Sequence, residues 1–472
     1  MSAVRWATAL TFITQLLLWL VTIFVIRILS PADYGLMAMS MIFVSFAMIV
    51  NEFGLGSALV QRENPTSREI QSIHGFVLAL NFILYCVFYL SAPILSQIFG
   101  EPILVPMLRV VALLFPILGF EVTALALLER NLEFRKKATI YMIANISGVV
   151  VTLALALLSA GVWSLVFGNL SSAIIKAAGI NFATGKLIIP RWDLGLVRPY
   201  LRFGGFVAVE RILWYLHRQA DVFFIGKWLG KEELGYYYVA LTLSSFVYDK
   251  AGGLMYEISL PTFAQARKER GMIAVVFVRA LRIIAFVVFP LMFGLAAVSS
   301  DIVDLFIGQK WVAAAPLVLI LCLSMPARIM GNLFPPALQG LGKPKSSLVN
   351  LAIAVIVMIP VLTYTASIDT YAVSLAWLVV YPIVLILMFN HSRALLELRW
   401  TESASAVLPP LLGSLAMFAL VYWLGGQPLM TELAVEFRLV MTILSGMIIY
   451  LAFSLFVLRK QLAEFVALVR PQ

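Results

Sequence analysis

RILSPADYG, residues 27 to 35, returns 200 positions later as KWLGKEELG, residues 227 to 235. Arg27, Leu29, Asp33 and Gly35 thereby find counterparts in Lys227, Leu229, Glu233 and Gly235. Further along, Pro106, Pro116, Ser164 and Leu165 recur at a spacing of 210 as Pro316, Pro326, Ser374 and Leu375. A duplication on this scale, with about six hydrophobic spans in each copy, is the layout of a transporter that moves its substrate between two lobes.

Composition places both copies in a membrane. Of the 472 residues, 62% are hydrophobic and 12% charged, and the mean hydropathy is +0.99; soluble chains carry about a quarter charged residues. Windows of about 20 apolar residues give spans near 6–29, 36–58, 74–97, 107–128, 139–159, 162–184, 204–229, 234–258, 273–298, 312–337, 347–366, 371–389, 406–425 and 437–458. The expected fold is therefore an all-α polytopic membrane protein of about 14 transmembrane helices. It divides into an N-lobe at 1–184, a cytoplasmic linker at 185–203, a C-lobe at 204–390, and two further helices with a tail at 391–472. The first span is too long for a signal peptide and no small-residue cleavage site follows it before Arg27, so it is expected to stay as a helix. Cys86 and Cys322 fall inside spans, where apolar packing is their expected role.

The net charge is +10, yet the basic residues form no contiguous face of the kind nucleic acid requires. They sit in alternate loops: Arg62 and Arg68; Arg130, Arg135, Lys136 and Lys137; Lys186, Arg191, Arg198 and Arg202; Arg267, Lys268 and Arg270; Lys343 and Lys345; Arg393 and Arg399. With Arg5 before the first span and Arg459, Lys460 and Arg470 after the last, this is the positive-inside pattern, and both termini are expected in the cytoplasm. No loop exceeds about 20 residues, which disfavours a membrane-bound polymerase or glycosyltransferase with an extramembrane acceptor site. No catalytic motif, metal-ligand spacing or cofactor fingerprint occurs, so no catalytic residue, metal or cofactor is expected.

An ionisable side chain inside the bilayer is costly, so an intramembrane cluster points to function. The seventh span carries Glu210, Arg211, Trp214, His217, Arg218 and Asp221, which at about 100° per residue fall in a sector of roughly 120°. Its other faces are apolar. The following spans add Asp249, Lys250 and Glu257, then Arg279 and Arg282. The repeat-matched positions of Arg211 and Arg218 are Thr11 and Leu18, so the lobes have diverged in charge. The candidate anion-binding set is Arg211, Arg218, Lys250, Arg279 and Arg282 with Trp214 and His217, and the candidate ion-coupling set is Glu210, Asp221, Asp249 and Glu257. Competing structural roles stand beside these. Arg279 and Arg282 can snorkel to headgroups, Lys250 can pair with Asp249, Asp221 or Glu257, and Arg211 and Arg218 can neutralise Glu210 or Asp221. Structural pairing is expected for Arg109, Glu121, Lys176 and Arg328, and an interfacial aromatic belt for Tyr236, Tyr237 and Tyr238. Pro116, Pro290, Pro326, Pro335, Pro336 and Pro382 lie inside spans, where kinks are expected.

RILSPADYGLMAMS (27–40), GLGSALVQRENPTSREI (54–70), GVWSLV (161–166), RQADVFFIGKWLG (218–230), LPTFAQ (260–265) and GQKWVAAAPL (308–317) together resemble the polysaccharide-exporter flippases, the polysaccharide branch of the multidrug/oligosaccharidyl-lipid/polysaccharide superfamily. The resemblance covers about residues 5–390. It implies two six-helix lobes around a central cavity with the last two helices added to one side. It implies an undecaprenyl-diphosphate-linked glycan as substrate, moved from the cytoplasmic to the periplasmic leaflet of a bacterial inner membrane, with polysaccharide polymerase and chain-length proteins as partners. Glu210 and Arg211 depart from the small polar residues of that family pattern, which ties them to one particular glycan. The rival readings are a cation-coupled drug or metabolite exporter of the same superfamily, which requires an acidic cavity, and a membrane polymerase or ligase.

Overall fold

The computed structural model describes residues 20–51, 56, 59–60, 62, 65–185, 188–267, 272–459 and 461–464, and its main elements are helices. After a helical stretch at 20–28 come α1 (Pro31–Asn51), α2 (Ser67–Phe99), α3 (Leu104–Val111), α4 (Leu114–Arg130), α5 (Phe134–Leu157), α6 (Val162–Thr184), α7 (Leu194–Trp228) and α8 (Gly230–Ala266). They are followed by α9 (Met272–Ala297), α10 (Ala315–Gly331), α11 (Phe334–Gly340), α12 (Pro344–Ala366), α13 (Thr370–Ser392), α14 (Trp400–Gly425) and α15 (Val435–Phe456). Among the described residues, 11 segments are long and apolar enough to cross a membrane. They coincide with 11 of the 14 spans expected above. Of the remaining three, the span at 6–29 lies outside the described residues up to residue 19. The other two are the helices α7 and α8, which are not among those 11 segments. Also outside the described residues are Arg5, Thr11, Leu18, Lys186, Lys268, Arg270, Lys460 and Arg470.

The chain forms two compact units, Met1–Gly235 and Tyr236–Gln472. In the first, α1 starts at a reciprocal cap: the Ser30 N–H donates to the Asp33 carboxylate at 2.9 Å and the Asp33 N–H donates to the Ser30 hydroxyl at 3.3 Å. Pro31 at the first helical position needs no hydrogen-bond partner for its nitrogen. A second capping box, Thr66 with Glu69, starts α2. The two copies of the repeated stretch pack directly on one another. A Cβ at Gly35 would overlap the carbonyl of Lys231, and a Cβ at Gly235 would overlap the carbonyl of Pro31. Glycine is what admits this approach. The α5–α6 pair is also close, with Gly148 set against the Gly168 carbonyl and Ser172, and Gly168 against Thr152, a small-residue crossing of the kind that holds membrane helices together.

The segment expected as a linker at 185–203 is helical from Leu194, because the Asp193 side chain accepts the N–H groups of Gly195 and Leu196 and so caps α7. The residues before it are tied down as well. The Arg191 N–H donates to the Gln71 carbonyl at 3.0 Å, and Val197 joins Leu59, Ile73, Val77 and Ala126 in one apolar cluster. The foot of α7 is thus fixed to α2 and α4.

In the second unit α14 packs along α9, and α10 and α12 pack on α13. Arg438 before the middle of α15 binds Asp301 through two nitrogens, at 2.5 and 3.0 Å, and the Tyr450 hydroxyl donates to the Phe286 carbonyl at 2.9 Å. The last two helices are therefore anchored to α9 and to the segment just past its C-terminal end. Prolines act unequally. Pro116 cannot donate to the carbonyl four residues back, and the span breaks there, at Ala112–Leu113, between α3 and α4. Pro335 and Pro336 break theirs at Asn332–Leu333 in the same way, whereas Pro290, Pro326 and Pro382 stand within continuous helices. The aromatic belt expected at Tyr236–Tyr238 is corrected at Tyr237, which is 0% exposed, and Tyr236 packs edge-on against Trp311 at 6.0 Å. Helix packing, in preference to the interface, takes these rings.

Candidate functional site

Helix α7 carries Glu210, Arg211, Trp214, His217, Arg218 and Asp221 through the first unit, packed on α1 and α2. Its register is set by Tyr215, a buried ring whose hydroxyl donates to the Ile42 carbonyl of α1, and by Val222 and Ile225, both buried. Fixing those residues against α1 turns Trp214 outward, where it is 42% exposed. The Arg218 guanidinium lies over the Trp214 ring with its carbon 5.1 Å from the centroid. A stacked guanidinium keeps its in-plane N–H groups available for a bidentate anion. Arg211, His217 and Glu210 are half-buried on the same helix. Asp221 differs: it is 0% exposed, and its carboxylate accepts the Val222 N–H at 2.8 Å. Glu210, Arg211, His217, Arg218 and Asp221 all take part in further interactions, so the polar face is held in place.

The remaining expected residues divide. Asp249, Lys250 and Glu257 fall on α8, outside the residues whose side chains are described. Arg279 and Arg282 stand on α9 in the second unit. Arg279 is exposed, while Arg282 pairs with Glu464 at 2.6 Å, a partner from the C-terminal segment that spacing along one helix could not reveal. Among the described residues, no group of three or more His, Cys, Asp or Glu is placed to hold a metal ion.

Pairing accounts for two of the four isolated charges, Glu121 and Lys176, whereas Arg109 and Arg328, also expected to pair, rest on aromatic rings. Glu121 on α4 meets Lys176 on α6 at 3.2 Å, and Tyr141 of α5 donates to the same carboxylate at 3.5 Å. Arg109 stacks on Tyr89 at 4.8 Å. Arg328 finds no carboxylate among the described residues: it is 8% exposed, sits 4.1 Å over the Trp377 ring and 5.7 Å from Tyr248, and its Nη1 has no hydrogen-bond partner.

A further polar feature carries no charge. A cavity of about 270 Å³ opens in the first unit between residues 20–28, α1, α5 and α6, lined on its polar side by Thr22, Tyr34, Asn145, Thr152, Asn169 and Ser172. Its signal in the sequence is a polar residue every third or seventh position on otherwise apolar spans, Asn145 to Thr152 and Asn169 to Ser172, which a search for charge passes over.

Residues 24–316 match the family model described as polysaccharide biosynthesis protein. The chain is 25% identical over 422 residues to the teichuronic acid biosynthesis protein TuaB of Bacillus subtilis (strain 168), covering 86% of this chain and 85% of that protein. It is 29% identical over 320 residues to the succinoglycan biosynthesis transport protein ExoT of Rhizobium meliloti (strain 1021), covering 67% and 64%. In fold it is similar to the lipid II flippase MurJ in an inward closed conformation, with a TM-score of 0.76 and 16% identity over 96% of this chain and 100% of that one. The family resemblance carried by the quoted stretches is borne out: the chain is a polytopic helical membrane protein and belongs to the polysaccharide biosynthesis protein family.

Proposed function

We propose that the chain is a transporter that flips an undecaprenyl-diphosphate-linked oligosaccharide repeat unit from the cytoplasmic to the outer leaflet of a bacterial inner membrane. The observation that carries this reading is the α7 face, where Arg218 stacks on an exposed Trp214 with Arg211 two turns below, inside an otherwise apolar chain of this family. A diphosphate is a compact multiple anion, and guanidinium forks bind it through charge-assisted hydrogen bonds. The names of the relatives, a succinoglycan transport protein and a lipid II flippase, point to the same class of cargo.

On this reading the chain crosses the membrane 14 times, α7 and α8 included, with both ends inside. Lobes at 1–184 and 204–390 rock about the bound headgroup while the lipid tail stays in the bilayer. Arg211, Arg218, Lys250, Arg279 and Arg282 contribute to capture from the cytoplasmic leaflet, with Trp214 and His217 beside them. Glu210, Asp221, Asp249 and Glu257 are the residues that a coupling ion would use. A polymerase and chain-length proteins take the product on the outer side.

Depletion of the protein in its own cell tests the reading. The expected result is loss of one surface polysaccharide and accumulation of its undecaprenyl-diphosphate-linked repeat unit on the cytoplasmic leaflet. Unchanged surface polymer with no accumulated glycolipid would contradict it.

A further inference from the structure

The uncharged cavity of the first unit has a defined orientation. On α5 the exposed apolar residues Ile143, Ile146, Val150 and Leu157 mark the lipid-facing side, while the cavity residues Asn145, Gly148, Val149 and Thr152 are centred about 140° away at about 100° per residue. On α6 the exposed Phe167 and Ile174 are likewise opposite Leu165, Gly168, Asn169 and Ser172. Asn145, Thr152, Asn169 and Ser172 therefore belong to the cavity side of the two helices and not to the apolar exposed side. Gly148 and Gly168 bring the two backbones together, and Asn145 and Asn169 both line the cavity that this close pair borders.

Six polar side chains with no formal charge, Tyr34 among them with an aromatic ring, are what a carbohydrate hydroxyl face needs: donors and acceptors at fixed places, an apolar wall, and no ion to desolvate. The Asn169 amide nitrogen donates to the Leu165 carbonyl at 2.9 Å, which fixes the amide and leaves its oxygen as an acceptor. Asn145 makes no hydrogen bond among the described residues and is exposed.

The cavity is also placed correctly relative to α7. Helix α1 is common to both, since its Ile42 carbonyl takes the Tyr215 hydroxyl of α7 and its Tyr34 lines the cavity. Tyr34 is eight residues from Ile42, hence about 12 Å farther toward the Pro31 end of α1. With the Pro31 end outward, a lipid-linked glycan whose diphosphate is held at Arg218 and Arg211 would lie with its first sugars outward of them, at the level of this cavity. We propose that the cavity between residues 20–28, α1, α5 and α6 is a subsite for a neutral hexose of the glycan, with Asn145 and Asn169 as its principal hydrogen-bonding residues. The proposal rests on the transport reading and adds to it the part of the cargo that this unit recognises.

The test uses the full-length protein in nanodiscs and two probes: undecaprenyl diphosphate, and the same lipid bearing a neutral hexose disaccharide. The wild type is expected to bind the glycolipid at least ten-fold more tightly. Asn145→Ala and Asn169→Ala are each expected to cut that advantage by about two- to ten-fold, the size of one neutral hydrogen bond, with binding of the sugar-free lipid and the thermal midpoint unchanged. Arg218→Ala is expected to weaken both probes alike. A wild type that binds both lipids equally, or asparagine variants that leave the ratio intact, would overturn the sugar subsite while the transport reading stood. A wild type that binds neither lipid would overturn both.

Discussion

Gly35 and Gly235 are reciprocal contacts: Gly35 lies against the carbonyl of Lys231, and Gly235 against the carbonyl of Pro31, the residue 200 positions before Lys231. Each copy of the repeated stretch therefore offers the same glycine to the same position of the other, which is what a pseudo-two-fold relation between the copies requires. Neither backbone can yield cheaply to a methyl group, so Gly35→Ala and Gly235→Ala are each expected to destabilise by about 1–3 kcal/mol. Because both substitutions open one contact, the double variant is expected to lose less than the sum of the singles. Thermal unfolding in detergent micelles measures this, and a neutral Gly35→Ala would mean that the close approach is absent.

Arg328 gives a second prediction. Its guanidinium is buried between aromatic rings, and no carboxylate meets it among the described residues, so its stability comes from stacking. Lysine keeps the charge and loses the planar face, and Arg328→Lys is expected to cost about 2 kcal/mol, the upper range for a desolvated cation–π contact. Arg328→Met removes the buried charge altogether and is expected to cost less. The reverse order in thermal unfolding would show that the charge is answered elsewhere.

Much of this was legible in the sequence because hydropathy and repeat spacing are local signals. Eleven spans match described helices, and the α7 polar face follows from helical periodicity alone. What stayed hidden was which helix meets which. Spacing puts Arg282 on a face of α9 but cannot name Glu464 as its partner, and it leaves Glu121 and Lys176 as two separate charges where the fold makes one pair. The cavity at Asn145 and Asn169 was missed for another reason: a search for charge inside the spans passes over neutral amides and hydroxyls. Tyr237 was misplaced because an aromatic at the end of a membrane helix suits both the interface and the core.

Orientation is open to direct measurement. The alternate-loop bias of Lys and Arg predicts that reporter fusions within residues 188–202 and after residue 459 both read cytoplasm. A periplasmic signal from only one of them would require an odd number of crossings between them, and one within residues 188–202 would move Arg211 out of the cytoplasmic half.

The central claim is that the α7 arginines bind the diphosphate of the cargo, and reconstituted flipping of an undecaprenyl-diphosphate-linked oligosaccharide in proteoliposomes tests it most directly. A hydrogen bond to a charged group contributes about 1.5–3 kcal/mol, so Arg218→Ala is expected to lower substrate capture about ten-fold or more with protein abundance unchanged. Arg218→Lys is expected to restore only part, since an ammonium lacks the fork. If Arg218 served only to balance Asp221, removing both charges would restore transport; the account predicts that Arg218→Ala with Asp221→Ala stays impaired, and a double variant that flips at the wild-type rate would contradict it.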